Sequence, residues 1–184
     1  DIFFDIISTK AGNMQVETIH FILTGGTIDS YWDGIADTAI PLEHSVVTEF
    51  IRSLKLYSPT EFTEVCMKDS RKINEEDRQN VLTTVEQSNY TKIIITHGTY
   101  TVPDTARFLK ANLKRTDQTI ILTSSMIPIR GFAPSDGPFN LGYSVGQVQT
   151  LKMGIYVCMN GRVFSPEEVA KAIQEGRFIS IFNK

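Results

Sequence analysis

Past the first seventeen residues, short unbroken apolar runs alternate along the chain with longer amphipathic stretches. Thr18–Leu23 (TIHFIL) reads as a buried strand ended by the Gly25-Gly26 pair. Phe62–Met67, Lys92–Thr96, Thr119–Thr123 and Gly154–Met159 read as four more strands. Between them, Glu43–Leu56 carries Val46, Val47, Phe50, Ile51 and Leu54 at helical spacing. Asn74 caps a helix expected to run to Glu86, with Glu75, Glu76 and Asp77 favoured by the dipole in its first turn. Val102–Leu113 is a further helix with Pro103 in its first turn, and Pro138–Gln149 another. Ser165 and Glu168 are spaced as a capping box and predict a last helix. Strands separated by helix-length segments pair in parallel through right-handed crossovers. The pattern therefore predicts an α/β fold: a doubly wound, mostly parallel sheet in a Rossmann- or flavodoxin-like three-layer arrangement, as a single domain. In such sheets a ligand sits beyond the carboxyl ends of the strands, so the turns there are where chemistry is sought.

Composition narrows the field. The 184 residues, 41% hydrophobic and 21% charged, suffice for one core and resemble neither a disordered chain nor a membrane protein. A net charge of −3 gives no electrostatic footprint for nucleic acid or an anionic membrane, and neither is expected as a partner. His20, His44, His97, Cys66 and Cys158 are scattered without metal-ligand spacing. The sequence contains neither G-x-x-x-x-G-K-S/T nor G-x-G-x-x-G, so no metal and no cofactor is expected. Both cysteines lie in apolar strand-like runs and read as buried free thiols of a cytoplasmic protein. Residues 1–13 have an apolar patch but no basic start, long apolar core or cleavage site, and Met14 follows them. They are read as a leader, with the domain spanning 14–184.

Three strand ends carry glycine and hydroxyl clusters: Leu23–Asp29 (LTGGTID), Thr96–Thr101 (THGTYT), and Thr123–Met126 (TSSM) with Ser135–Leu141 (SDGPFNL) beyond it. Glycines there let a substrate approach backbone N–H groups able to hold a carboxylate or an oxyanion. A hydroxyl on such a turn can attack an amide once a base removes its proton. Each cluster alone reads more readily as a tight turn than as a site; three at successive strand ends are brought together by the fold.

Thr24–Ile28 (TGGTI) with Thr96–Thr99 (THGT) resembles the signature pair of bacterial-type L-asparaginases, and Ser135–Leu141 and Tyr156–Asn160 resemble two further stretches of that family in the same order. The resemblance covers about residues 18–175 and is to the family's N-terminal, active-site domain; in length the chain is similar to the short single-domain asparaginases. It implies that Thr27 is the attacking threonine, assisted by Tyr31 on a mobile loop, and that Ser70 holds the substrate's α-carboxylate. Thr99 would be the second threonine of a Thr-Lys-Asp triad, with Lys171 its lysine when counted without gaps from Asn160. Backbone amides near Gly26 or Gly98 would stabilise the oxyanion. The implied reaction is hydrolysis of a small amide or amino-acid substrate through an acyl-threonine, releasing ammonia, in a homodimer or homotetramer.

One position departs from the pattern: the aspartate expected after Thr99 is Tyr100. In the family that carboxylate pairs with the lysine and holds the substrate's α-ammonium group, a charge that neutral tyrosine does not supply. Asp104 lies one helical turn along as a possible replacement. Alternatives stand beside several of these roles. Lys171 could pair with Glu167 or Glu168 on a solvated helix, Tyr31 and Trp32 could pack a loop rather than form a lid, and His97 reads as hydrogen-bonded structure. The rival functions are a non-catalytic small-ligand module and one component of a two-part amidase.

Overall fold

The computed structural model describes residues 16–131 and 134–182; the expected leader, residues 1–13, lies outside them. The chain runs β1 (Ile19–Gly25), β2 (Ser30–Asp33), β3 (Thr38–Pro41), α1 (Val47–Ser53), β4 (Thr60–Lys68), α2 (Glu75–Gln87), β5 (Lys92–Thr96), α3 (Val102–Asn112), β6 (Thr119–Thr123), α4 (Gly137–Thr150), β7 (Gly154–Met159), β8 (Arg162–Phe164), β9 (Val169–Ala172) and β10 (Arg177–Ser180). A six-stranded sheet has the order β4-β1-β5-β6-β7-β8, with every pairing parallel except that of β7 with β8. Counting only the parallel strands, this is the 2-1-3-4-5 order of flavodoxin-like sheets, whose winding reverses between the first and third strands. Here those are β1 and β5, so the crevice opens where Thr27 and Thr99 follow their strands.

Alternation along the strands builds two cores. Ile22, Ile93, Ile95, Ile120 and Leu122 face α2 and α3 through Val81, Val85, Ala106 and Leu109. Ile19, Phe21, Leu23, Ile94 and Ile121 face α1 and α4 through Val47, Ile51, Leu141 and Val148. Both faces of the sheet are thus covered, which is why its strands read as continuous apolar runs. The cap of α2 forms as expected: the Asn74 side chain accepts from Asp77 N, and the Asp77 carboxylate from Asn74 N. Cys66 and Cys158 are free thiols, pushed up to about 11 and about 12 by burial and therefore unreactive. No helix among the described residues is long and apolar enough to cross a membrane.

Two expectations are corrected. The helix expected over 43–56 is shorter, because Ser45 Oγ accepts from Val47 N at its start and Lys55 adopts φ 53° just past its end. The helix expected after Ser165 is absent. Glu168 Oε1 does accept from Ser165 N at 2.8 Å, and the N–H groups of Glu168 and Val169 reach Ser165 O, but one turn is all that forms. Val169–Ala172 instead pairs antiparallel with β10. The left-handed residue closing that hairpin is Gly176, and both strands place apolar side chains, Val169 and Phe178, in the core against α3. Burial of two large side chains outweighs a capping signal worth about 1 kcal/mol. Lys171 therefore lies on a strand. The glutamates that could have occupied it are engaged elsewhere, Glu167 with Lys110 and Glu168 with Arg162.

Candidate active site

Three turns meet backbone to backbone at the carboxyl ends of β1, β4 and β5. Gly26 holds φ 83°, ψ −172°, a conformation essentially confined to glycine. A Cβ there would lie 2.4 Å from Gly98 Cα, and one on Gly98 would lie 2.5 Å from Ser70 Cβ. The stack Gly26–Gly98–Ser70 is stitched by hydrogen bonds: Thr24 Oγ1 donates to Thr96 O, Gly26 N to Lys68 O, Thr101 Oγ1 to Ser70 O and Tyr100 N to Ser70 Oγ. Above it opens a cavity of about 260 Å³, bordered by Gly26, Thr27, Ser70, Arg71, Thr99, Tyr100 and Lys171 among others. The structure thus brings together six of the expected residues, while Gly98 is buried between Gly26 and Ser70 and does not border the cavity itself.

Thr27 stands half-buried on a short 3-10 turn, and its hydroxyl makes no hydrogen bond among the described residues. Thr99 is buried, and Lys171 Nζ donates to its Oγ1 at 2.6 Å. Desolvation, then the nearby Arg71 charge, holds the Lys171 ammonium below the usual lysine range, with Asp69 opposing. Asn160, in the left-handed region at φ 55°, sets the position of this lysine. Its Oδ1 accepts from Phe178 N, and Phe178 is the cross-strand partner of Lys171.

At the position expected to hold a carboxylate, the Tyr100 ring lies 3.9 Å from Lys171 Nζ and 5.1 Å from the Arg71 guanidinium. The ring face attracts both cations without neutralising either. Arg71 is paired with Asp69, Nη2 to Oδ2 at 2.6 Å, and that carboxyl is held below the usual range by the pairing. Asp104 does not replace the missing group: it pairs with Arg107 along α3 and lies outside the cavity.

Tyr31 is not brought to the site. The buried Ser30, whose Oγ donates to Gly26 O, fixes the phase of β2. Alternation then turns Trp32, with its partner Ala39, toward Thr27 and points the exposed Tyr31 with Ile40 to the opposite face. Of the amides expected to serve near Gly26, its own N–H is committed to Lys68 O; the contribution of Gly26 is the close approach to Gly98. His97 is wholly buried, donating from Nδ1 to Gly98 O and accepting from the Thr105 hydroxyl at Nε2. Burial lowers it to about 4, so it is neutral scaffolding. The Ser135–Leu141 motif also proves architectural. Asp136 accepts from Met126 N and Ile127 N, while Asn140 bonds Ser124 O and Asn160 N.

Sequence reasoning missed two groups. Arg71 looked like one more charge on a surface turn. Asp29 is fully buried, with its carboxylate accepting from Ser45 Oγ and Val46 N, each at 2.8 Å. Desolvation raises it to about 6 against those hydrogen bonds, and the Glu64 charge adds to the rise. It clamps the Thr27 turn to the start of α1.

Comparison with known proteins agrees with this geometry. The family model for the asparaginase N-terminal domain matches residues 18–177. The glutaminase-asparaginase of Pseudomonas fluorescens biotype A is 30% identical over 177 residues, covering 90% of this chain and 47% of that protein. L-asparaginase 2 of Escherichia coli (strain K12) is 27% identical over 178 residues, covering 90% and 49%. Among solved structures, the thermostable L-asparaginase from Thermococcus kodakarensis superposes with a TM-score of 0.78 at 27% identity, over 89% of this chain and 51% of that one. The chain spans about half the length of these relatives.

Proposed function

The chain belongs to the asparaginase family, whose N-terminal domain it matches over residues 18–177, and from that premise we propose that it is an amidohydrolase with Thr27 as nucleophile. The observation that carries this reading is the convergence on one small cavity, at the switch point of the sheet, of a Thr27 hydroxyl without a hydrogen bond among the described residues and a bonded Thr99–Lys171 pair. Thr27 Oγ attacks the amide carbon, and the Thr99–Lys171 pair receives its proton and returns it to the leaving nitrogen. Ammonia departs, and water activated by the same pair releases the acid from the acyl-threonine. The oxyanion is left to the other backbone amides of the Gly26–Thr27 and Gly98–Thr99 turns, since that of Gly26 is occupied. Ser70 Oγ accepts from Tyr100 N, which leaves its proton to hold a substrate carboxylate beside Arg71.

Tyr100 defines the substrate further. With a ring in place of a carboxylate, and with the one carboxylate that lines the cavity, Asp69, already paired with Arg71, the pocket offers no unpaired counter-charge to an α-ammonium group. We place the substrate among small amides bearing a carboxylate without an adjacent amine, such as succinamate, which is L-asparagine without its amine. Losing a charge-assisted contact of about 1.5–3 kcal/mol disfavours L-asparagine by roughly one to two orders of magnitude. Tyr31 enters this chemistry only if the β2–β3 hairpin turns over. A homodimer or homotetramer is the expected assembly, with the half-exposed Trp32 and Tyr100 at the mouth covered by a second copy. Light scattering at micromolar protein checks it. The activity itself is tested by succinamate hydrolysis in the native protein and in Thr27→Ala. The variant should keep its fold and lose ammonia release by at least about a thousandfold; equal rates would end the proposal.

A further inference from the structure

Thr27 borders a second cavity, and that one is apolar. About 280 Å³ in volume, it is walled by Trp32, Ala39, Met126, Ile127 and Pro128 beside Thr27. Thr27, Ala39 and Met126 also border the polar cavity of Ser70, Arg71, Thr99 and Lys171, so Thr27 stands in the partition between two chambers of opposite character. The apolar chamber is fixed by its surroundings. Met126 N and Ile127 N donate to the Asp136 carboxylate, while the hydroxyls of Ser125 and Ser135 both donate to Ile127 O at 2.7 Å. On the facing side Trp32 and Ala39 are paired across the β2–β3 hairpin.

A nucleophile at a partition divides its substrate at the bond it breaks. The groups that favour a carboxylate all lie in the polar chamber, which therefore takes the acyl part. The substituent on the leaving nitrogen then points the other way, past Thr27 toward Trp32 and Ile127. Ammonia leaves nothing to fill that space, whereas an alkyl or aryl group would bury its surface there. We infer that the preferred substrate is a secondary amide, a small carboxylate-bearing acyl group joined to an apolar amine, and that the apolar chamber binds the amine. This rests on the proposed hydrolysis at Thr27. The step balances without a co-reactant: the Thr27 Oγ–carbon bond forms as the carbon–nitrogen bond breaks, the threonine proton leaves on the amine, and water converts the acyl-threonine to the acid.

The test uses the intact protein and one acyl group, comparing succinate release from succinamate, N-methylsuccinamate, N-butylsuccinamate and N-benzylsuccinamate. The expected result is a kcat/KM that rises along the series, the benzyl amide exceeding succinamate by at least about tenfold. Ile127→Phe, which fills the chamber, should shrink that ratio by about tenfold. Turnover of succinamate with no gain from any substituent overturns this inference and leaves amide hydrolysis standing. So does faster hydrolysis of a primary amide whose acyl chain, rather than its nitrogen, carries the apolar group. Release of succinate from none of the four overturns both.

Discussion

Lys171 Nζ rests 2.6 Å from Thr99 Oγ1 across a sequence separation of 72 residues, and a hairpin rather than a helix delivers it. The register is set at one remove, by Asn160 Oδ1 accepting from the N–H of Phe178 opposite the lysine. A lysine that must take a proton from a hydroxyl has to be neutral during the transfer. Partial desolvation and the Arg71 charge both push it that way.

The pH profile of kcat should therefore show a limb that rises with pH and has its midpoint below the ordinary lysine value of 10.5. Arg71→Gln removes a like charge and should move that limb to higher pH. Asp69→Asn removes the opposing charge and should move it to lower pH. A limb indifferent to both substitutions would show that Lys171 is not the titrating group.

Asp29 makes a separate prediction about stability. Its folded value of about 6 lies above the ordinary value of 3.8, so between those pH values the native state binds more protons than the unfolded chain. Stability from this group is full below about pH 4 and is lost as pH rises through about 6, an effect on the order of 3 kcal/mol. Asp77 and Glu168, lowered in the fold, contribute the opposite trend, so the native–variant difference is what isolates Asp29. In urea unfolding, Asp29→Asn should gain on the native protein as pH is raised from 4 to 8. A difference constant across that range would refute the assignment.

Much of this architecture was legible in the sequence because β1, β5, β6 and β7 are covered on both faces and so appear as plain apolar runs. The Thr27 and Thr99 turns were legible because glycine and hydroxyl residues punctuate those runs. The β9–β10 hairpin was not, since Ser165 and Glu168 make the same local contact whether a helix or a single turn follows. What decides is the burial of Val169 and Phe178 against α3, a long-range fact. The β2–β3 hairpin was hidden for a related reason: Tyr31 and Trp32 are both exposed, so no alternation of apolar and polar marks the strand. Arg71 acquires meaning only from the Tyr100 ring, 29 positions along the chain by their numbers and 5.1 Å away in the fold.

Glycine substitutions should separate packing from chemistry. Gly26→Ala meets the Gly98 backbone at 2.4 Å and a backbone conformation costing roughly 1–3 kcal/mol for a side chain, so it should lose both stability and activity. Gly98→Ala meets the Ser70 side chain instead, at 2.5 Å. Adding Ser70→Gly should recover most of its lost stability in thermal melts while hydrolysis stays low, because the carboxylate partner is gone. Recovery of both together would remove Ser70 from the substrate site.

Tyr100→Asp is the sharpest probe of specificity. The ring is about half exposed, so its removal opens space to water and leaves little buried void. What is lost is the stacking of Arg71 and Lys171, about 0.5–1 kcal/mol at such a site. What is gained is a carboxylate beside both cations, able to face an α-ammonium group as well. That charge should benefit L-asparagine, whose kcat/KM is expected to rise roughly tenfold to a hundredfold relative to succinamate. It should also favour the charged form of Lys171 and shift the rising limb of kcat to higher pH, an effect that simple removal of bulk would not produce. Tyr100→Phe supplies the control, keeping the ring and its two cations and therefore the preference for succinamate. A native protein that already favours L-asparagine, or an aspartate variant that improves both substrates equally, would show that Tyr100 does not set the choice.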